Sequence, residues 1–258
     1  MREYDACGCG LLLTFAHGYS KKCVELACTT VLEQESLASK MKFINIHAHS
    51  KTANSAVLLN AHENFLALDL NAFYSIGLHP WYLIENTADA ELTELREAIV
   101  KSNVLAIGEC GLDRVCETDF ELQKHYFIKQ IELSNEARKP LIIHCVRAFD
   151  EVLNLLKQNH VSVPVIFHGF NKNEQVAAQI LNAGYLFSFG QKLMFESTAA
   201  VFKSIPIDRI FLETDDGCVT IEEVYRMAAE IKGMTIEELQ QQIQKNTNLV
   251  FGENTFLK

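Results

Sequence analysis

From residue 43 onward the chain alternates between two hydrophobic patterns. Short apolar runs rich in Ile, Val, Leu and Phe are each followed by segments whose apolar positions recur every three or four residues. The runs are FINIHAH (43–49), SAVLLNA (55–61), YSIGLH (74–79), VLAIGE (104–109), PLIIHC (140–145), PVIFHG (164–169), YLFSFG (185–190) and IFLETD (210–215). Several are apolar almost throughout, as parallel strands covered on both faces are. Between them, residues 88–101 carry Leu92, Leu95 and Ile99 on one helical face, and residues 119–138 carry Phe120, Phe127 and Ile131. Thr118 with Glu121, Thr220 with Glu223 and Thr235 with Glu238 have the spacing of capping boxes, which predicts helix starts. Segments 148–159, 173–183 and 195–204 also read as helices.

Eight strands alternating with helices predict an α/β fold, a (β/α)8 TIM-like barrel. The alternation falters near its start. Five residues separate the first two strands, too few for a helix, and the loop at 62–73 has room for one short turn. The predicted barrel is therefore distorted and lacks one or two outer helices there.

Composition narrows the picture. The 258 residues carry a net charge of −10 and no run of Lys or Arg, which argues against an extended groove for duplex nucleic acid. A pocket holding one or two phosphates is still compatible, because a bound cation supplies positive charge locally. LLLTFA (11–16) is too short and lacks the basic flank of a signal peptide, and nothing is long and apolar enough to span a bilayer. A cytoplasmic location and free thiols at Cys110, Cys116, Cys145 and Cys218 are the expectation. Cys7, Cys9, Cys23 and Cys28 crowd into the first 40 residues without a Cys-x-x-Cys pair. Residues 1–40 read as an extension ahead of a natural start at Met41, and residues 41–258 as the barrel.

The chemistry sits in the polar residues that end the apolar runs. These are His47 and His49, His79, Glu109, His144, His168, and Glu213 with Asp215. In a barrel the C-terminal strand ends meet at one mouth, and strand alternation puts His47 and His49 on one face. Any one of these alone reads as a hydrogen-bonded core residue, a helix cap or a turn former. Together they fall at the same end of every strand that carries them. So many ionisable groups in one mouth would repel and desolvate one another at a cost of several kcal/mol without a cation. Imidazoles mixed with carboxylates suit Zn²⁺, Mn²⁺ or a similar ion.

The stretches NIHAH (45–49), GLHPW (77–81), AIGECGLDR (106–114), PLIIHCVRAFD (140–150), VIFHGF (165–170), FLETDD (211–216) and NTNLVF (246–251) occur in an order that resembles the TatD-type metal-dependent hydrolases, the TatD-related deoxyribonuclease family of the amidohydrolase-like barrels. The resemblance implies two divalent metal ions, zinc, magnesium or manganese. His47 and His49 hold one with Asp215 near it, His144 and His168 hold the other, and Glu109 bridges. It implies His79 and Arg147 at the substrate phosphate or in support of the ligand shell. Asp215, at the end of the last strand, is the candidate to take or relay the proton of the attacking water. Glu213 is expected to hold Arg147 or a ligand histidine. The implied activity is 3′-to-5′ exonucleolytic trimming of single-stranded DNA, so the expected partner is a DNA strand end or a small phosphodiester, with no membrane and no obligate protein partner. Phe170, Trp81 and Tyr82 at the mouth are candidates to stack on bases or to pack the loops. Two departures stand out: Asn45 where the family usually has Asp, and ETDDGC (213–218) without the proline that commonly follows.

Two other readings use the same residues. A metal-dependent amide or ester hydrolase, including one that cleaves aminoacyl-tRNA esters, needs the same ions. A binding module with a degraded site would explain Asn45.

Overall fold

The computed structural model describes residues 42–51, 55–253 and 255–257. The expected extension over residues 1–40, with its four cysteines, lies outside them. Eight parallel strands run in chain order: β1 Phe43–Ala48, β2 Ser55–Ala61, β3 Phe73–Ile76, β4 Val104–Asp113, β5 Leu141–Val146, β6 Val165–Phe167, β7 Leu186–Phe189 and β8 Ile210–Leu212. The helices are α1 Ala88–Ala98, α2 Phe120–Ala137, α3 Phe149–Gln158, α4 Glu174–Asn182, α5 Glu196–Ser204, α6 Ile221–Lys232 and α7 Ile236–Phe251. The (β/α)8 expectation holds. Among the described residues no helix joins β1 to β2, and a single 3₁₀ turn, Phe65–Ala67, stands between β2 and β3. No helix among them is long and apolar enough to cross a membrane.

Local chemistry explains most boundaries. Thr220 and Thr235 cap α6 and α7, each accepting from the amide of the Glu three residues on and receiving that Glu's carboxylate in return. The box expected at Thr118 does not form. Asp119 is the cap of α2 and accepts from the Leu122 amide. An Asp one residue later competes with Thr on equal or better terms, because its charged oxygen also faces the positive end of the helix. Strands β6, β7 and β8 are buried along their whole length, covered on both faces.

Three observed strands differ from the hydrophobic runs in ways that matter for the site. β4 extends to Asp113, so Glu109 lies within a strand rather than at its end. β3 stops at Ile76 and β8 at Leu212, which leaves His79, Glu213 and Asp215 in the loops beyond. Two strands also carry an extra residue relative to a neighbour. Between Asn45 and Ala48, β1 spends three steps where β2 spends two, from Val57 to Leu59. Between Ile107 and Cys110, β4 does the same against β5, from Leu141 to Ile143. Such bulges re-aim side chains, and these two contain His47 and Glu109. Beyond the second bulge β4 lies hard against β5. A Cβ on Gly111, whose φ is +142°, would meet the His144 carbonyl oxygen at 2.0 Å.

The barrel closes between β8 and β1 without a regular ladder. One bridge pairs Ala48 with Asp215, and the Asp215 amide donates to the His47 carbonyl at 3.0 Å. Asn45 supplies the rest of the seam. Its buried amide group donates to Thr214 Oγ1 at 2.8 Å and accepts from the Thr214 amide at 3.2 Å. Tyr225 of α6 adds a further tie, since its hydroxyl donates to the Ile44 carbonyl at 3.1 Å and accepts from the Ile44 amide at 3.2 Å. Asn45→Ala leaves the Thr214 amide buried without a partner, which costs about 1–3 kcal/mol. Thermal unfolding is expected to show this as a Tm lower by roughly 3–10 °C, and an unchanged Tm would deny Asn45 its part in closing the barrel.

Candidate metal centre

Glu109 is the hub. Its carboxylate is 5% exposed and lies 3.3 Å from His47 Nε2, 3.3 Å from His79 Nε2, 2.7 Å from His144 Nδ1 and 2.6 Å from His168 Nε2. Asn60 of β2 steadies it from behind, accepting from the Glu109 amide at 2.9 Å. Asp215 completes the cluster on the β1 side, with Oδ1 3.4 Å from His47 Nε2 and 3.2 Å from His49 Nε2. All six residues expected to bind metal therefore meet at one mouth, and His79 joins them.

The ligand atoms fall into three overlapping groups, each within 4.8 Å: His47, His49 and Glu109; His47, His168 and Asp215; His79, Glu109 and His144. The donor set is imidazole nitrogen and carboxylate oxygen, which divalent transition ions accept. His47 gives the sharpest indication of a fit. Both of its ring nitrogens are buried and neither makes a hydrogen bond. The neighbouring carboxylate oxygens lie at ion-pair distance but not in hydrogen-bond alignment. An orphaned buried nitrogen is costly, and a cation beside it removes that cost.

Without metal, the charges within the cluster compensate one another. Burial and the nearby His168 work to lower the pKa of His47, but the carboxylates of Asp215 and Glu109 outweigh them and push it up to about 9. Burial works to raise the carboxyls of Glu109 and Asp215, yet the surrounding histidines hold both well below the usual range. His168 is raised despite its burial, chiefly by Glu109. His79 goes the other way, because burial dominates and keeps it neutral. Its Nδ1 accepts from the Trp81 amide at 3.1 Å, which leaves Nε2–H as the donor toward Glu109.

Three residues that the sequence reading did not assign hold the cluster in place. Asp113 is 2% exposed, and its Oδ2 lies 3.1 Å from His144 Nε2 and accepts from the Trp81 indole at 2.6 Å. Both nitrogens of His144 therefore face carboxylates. The signal for Asp113 lay in AIGECGLDR, four residues beyond Glu109, but an apolar run read as ending at Glu109 hid it. The other two are glutamines of α2. Gln123 accepts from the Asp113 amide at 2.8 Å and donates to the Asp113 carbonyl at 3.0 Å. Gln130 does the same for Leu78, at 2.7 Å and 3.2 Å, and so fixes the loop that carries His79.

The remaining candidates separate. Glu213 accepts from the Gly169 amide at 2.8 Å and lies 3.4 Å from His168 Nδ1, so of its two expected partners it has the candidate ligand histidine. Arg147 is exposed, has a φ of +52°, and makes no salt bridge among the described residues. Phe170 is 3% exposed and packs against Phe149, Phe187 and Phe189. It is a core residue, and base stacking is ruled out for it because its ring is already covered. Trp81 and Tyr82 stay exposed.

Two measurements probe the cluster. Metal binding has to displace the proton that His47 holds below about pH 9. Affinity is therefore expected to rise by about tenfold per pH unit between pH 6 and 8 in a chelator-competition titration, and a flat profile would contradict the protonated His47. The metal-free protein has the matching dependence. The raised pKa stabilises it fully below the ordinary value of 6.5, and that stability is lost as pH rises through about 9. Asp113→Asn removes the charge that faces His144 and is expected to weaken metal binding about 10- to 100-fold in the same titration.

Comparison with known proteins agrees with this geometry. The sequence profile of the TatD-related DNases matches residues 28–252. YabD of Bacillus subtilis, an uncharacterized metal-dependent hydrolase, is 31% identical over 200 residues, covering 70% of this chain and 78% of that protein. Mouse TATDN3, named as a candidate deoxyribonuclease, is 26% identical over 245 residues, covering 86% and 81%. The crystal structure of the TatD homologue YjjV from Escherichia coli superposes with a TM-score of 0.74 at 25% identity, covering 82% of this chain and 98% of that one. The chain belongs to the TatD-related DNase family of metal-dependent hydrolases.

Proposed function

We propose that the protein hydrolyses phosphodiester bonds at the 3′ end of single-stranded DNA, using two divalent ions at the Glu109 cluster. The observation that carries this reading is the convergence of His47, His49, Glu109, His144, His168 and Asp215 on one mouth, with both nitrogens of His47 left without hydrogen bonds. The deoxyribonuclease name of the mouse relative supports the substrate class. In this reading His47 and His49, with Asp215 near them, would hold one ion, His144 and His168 would hold the other, and Glu109 would serve both. Zinc, magnesium or manganese fits the donors. When bound, the ions supply Lewis-acid charge and make a water molecule more acidic.

The protein's own groups do the rest. The carboxylate of Asp215 takes the proton of the attacking water. Its side chain is 35% exposed and lies 3.4 Å from His47 Nε2 and 3.2 Å from His49 Nε2, at the edge of the cluster where water has access. Asp215 adopts a left-handed backbone conformation, with φ +54°, held by the seam hydrogen bond to His47. His79, neutral and with Nε2–H directed at Glu109, supports the cluster beside the phosphate. Arg147, exposed and without a salt bridge among the described residues, meets the phosphate from outside. Glu213 holds His168 from the side away from Glu109.

The test is a single-stranded oligonucleotide labelled at its 5′ end, incubated with the protein and each of Mg²⁺, Mn²⁺ and Zn²⁺. The expected result is a ladder that shortens from the 3′ end, is abolished by EDTA, and is slowed about 100-fold or more in Asp215→Asn. No release with any of the three ions, together with turnover of an acyl ester, would overturn the proposal.

A further inference from the structure

Trp81 is the single tryptophan of the chain. It is 56% exposed, yet it is anchored at two points. Its indole Nε1 donates to Asp113 at 2.6 Å, and its amide donates to His79 at 3.1 Å. The ring stands at steep angles to two residues of the metal cluster: 89° to His79 at 5.2 Å, and 77° to His144 at 5.7 Å. Its neighbour Tyr82 is also half-exposed, but His62 lies stacked on it at 4.3 Å and 23°. Among the described residues no ring stacks on Trp81. A large apolar face is thus held rigid, open to solvent and adjacent to the cluster.

We propose that Trp81 is a nucleobase-binding platform. It stacks on the base of the nucleotide at the bond being cut or on the one beside it. The proposal rests on the reading of the cluster as a site for a DNA strand end. The hydrogen bond to Asp113 defines the mode of recognition. With its only side-chain donor already used, the indole has nothing to offer a base edge, and recognition comes from the π face alone. Every base has such a face, so the platform binds without sequence preference. Its anchor is the carboxylate that also faces His144, so the base is held in fixed relation to the cluster.

Because Trp81 is the only tryptophan, its fluorescence reports on the platform directly. The experiment uses the metal-loaded full chain and phosphorothioate single strands, which resist cleavage. One strand is intact and one is abasic over its last three 3′ positions. The intact strand is expected to quench the tryptophan fluorescence and the abasic strand to leave it nearly unchanged. Trp81→Ala is expected to weaken binding of the intact strand about 5- to 100-fold by fluorescence anisotropy of a labelled strand. It narrows the preference for the intact over the abasic strand, whereas any loss that comes through the freed Asp113 carboxylate falls on both strands alike. Trp81→Phe, which keeps a π face and loses the N–H, restores most of the affinity. Equal affinity of wild type and Trp81→Ala for the intact strand would overturn the platform while leaving the nuclease reading in place. If the wild type binds neither strand, the nuclease reading fails and the platform fails with it.

Discussion

The structure depends on one buried negative charge. Glu109 is almost inaccessible to water and stays ionised because four imidazoles, from β1, β5 and the loops after β3 and β6, converge on it. A carboxylate in that position without partners would be prohibitively costly. Four histidines in that position without a carboxylate would repel one another or lose their protons. Neither half of the cluster is stable alone, and each forces the other's placement. Asn60 brings β2 into the same arrangement through the Glu109 amide. The barrel mouth is therefore organised around a charge rather than around an apolar plug.

The surrounding fold serves that placement. Bulges in β1 and β4 fall at His47 and Glu109, so the two residues closest to the centre are aimed by irregularities rather than by regular pleat. Gly111 lets β4 lie against β5, which brings Asp113 and Glu109 to opposite sides of His144. Two buried glutamines of α2 satisfy the backbone groups of Leu78 and Asp113 where the strands give out. A buried backbone group needs a partner, and here the partners also fix loops that carry chemistry. The seam between β8 and β1 works in the same way. The residues that join it, Asn45, Thr214 and Asp215, include one candidate ligand and lie within two residues of a candidate ligand. Closing the barrel and building the site are one event.

Asn45 shows how a departure from a family pattern is resolved. Its amide uses both a donor and an acceptor on Thr214, a pairing of β1 with the loop after β8. Its place is the seam, and it supports the backbone between His47 and Asp215.

The sequence by itself determined the architecture and which imidazoles and carboxylates meet at its mouth. Alternating apolar runs and helical stripes are local patterns, and they specify eight strands, seven helices and the thin start of the barrel without reference to tertiary contacts. His47, His49, Glu109, His144, His168 and Asp215 were legible because each sits at or near the end of such a run. Only the tertiary structure decided how those residues are held. The bulges depend on which strand lies alongside. The capping of α2 by Asp119 rather than Thr118 depends on how the chain enters the helix. Asp113 matters because its carboxylate meets Trp81 and His144, which are 32 and 31 residues away in sequence. Phe170 looked like a mouth aromatic and is a core residue because three other rings surround it. Trp81 occupies a similar position in its loop and stays open. Burial at loop positions depends on neighbours distant in sequence, and no local pattern records them.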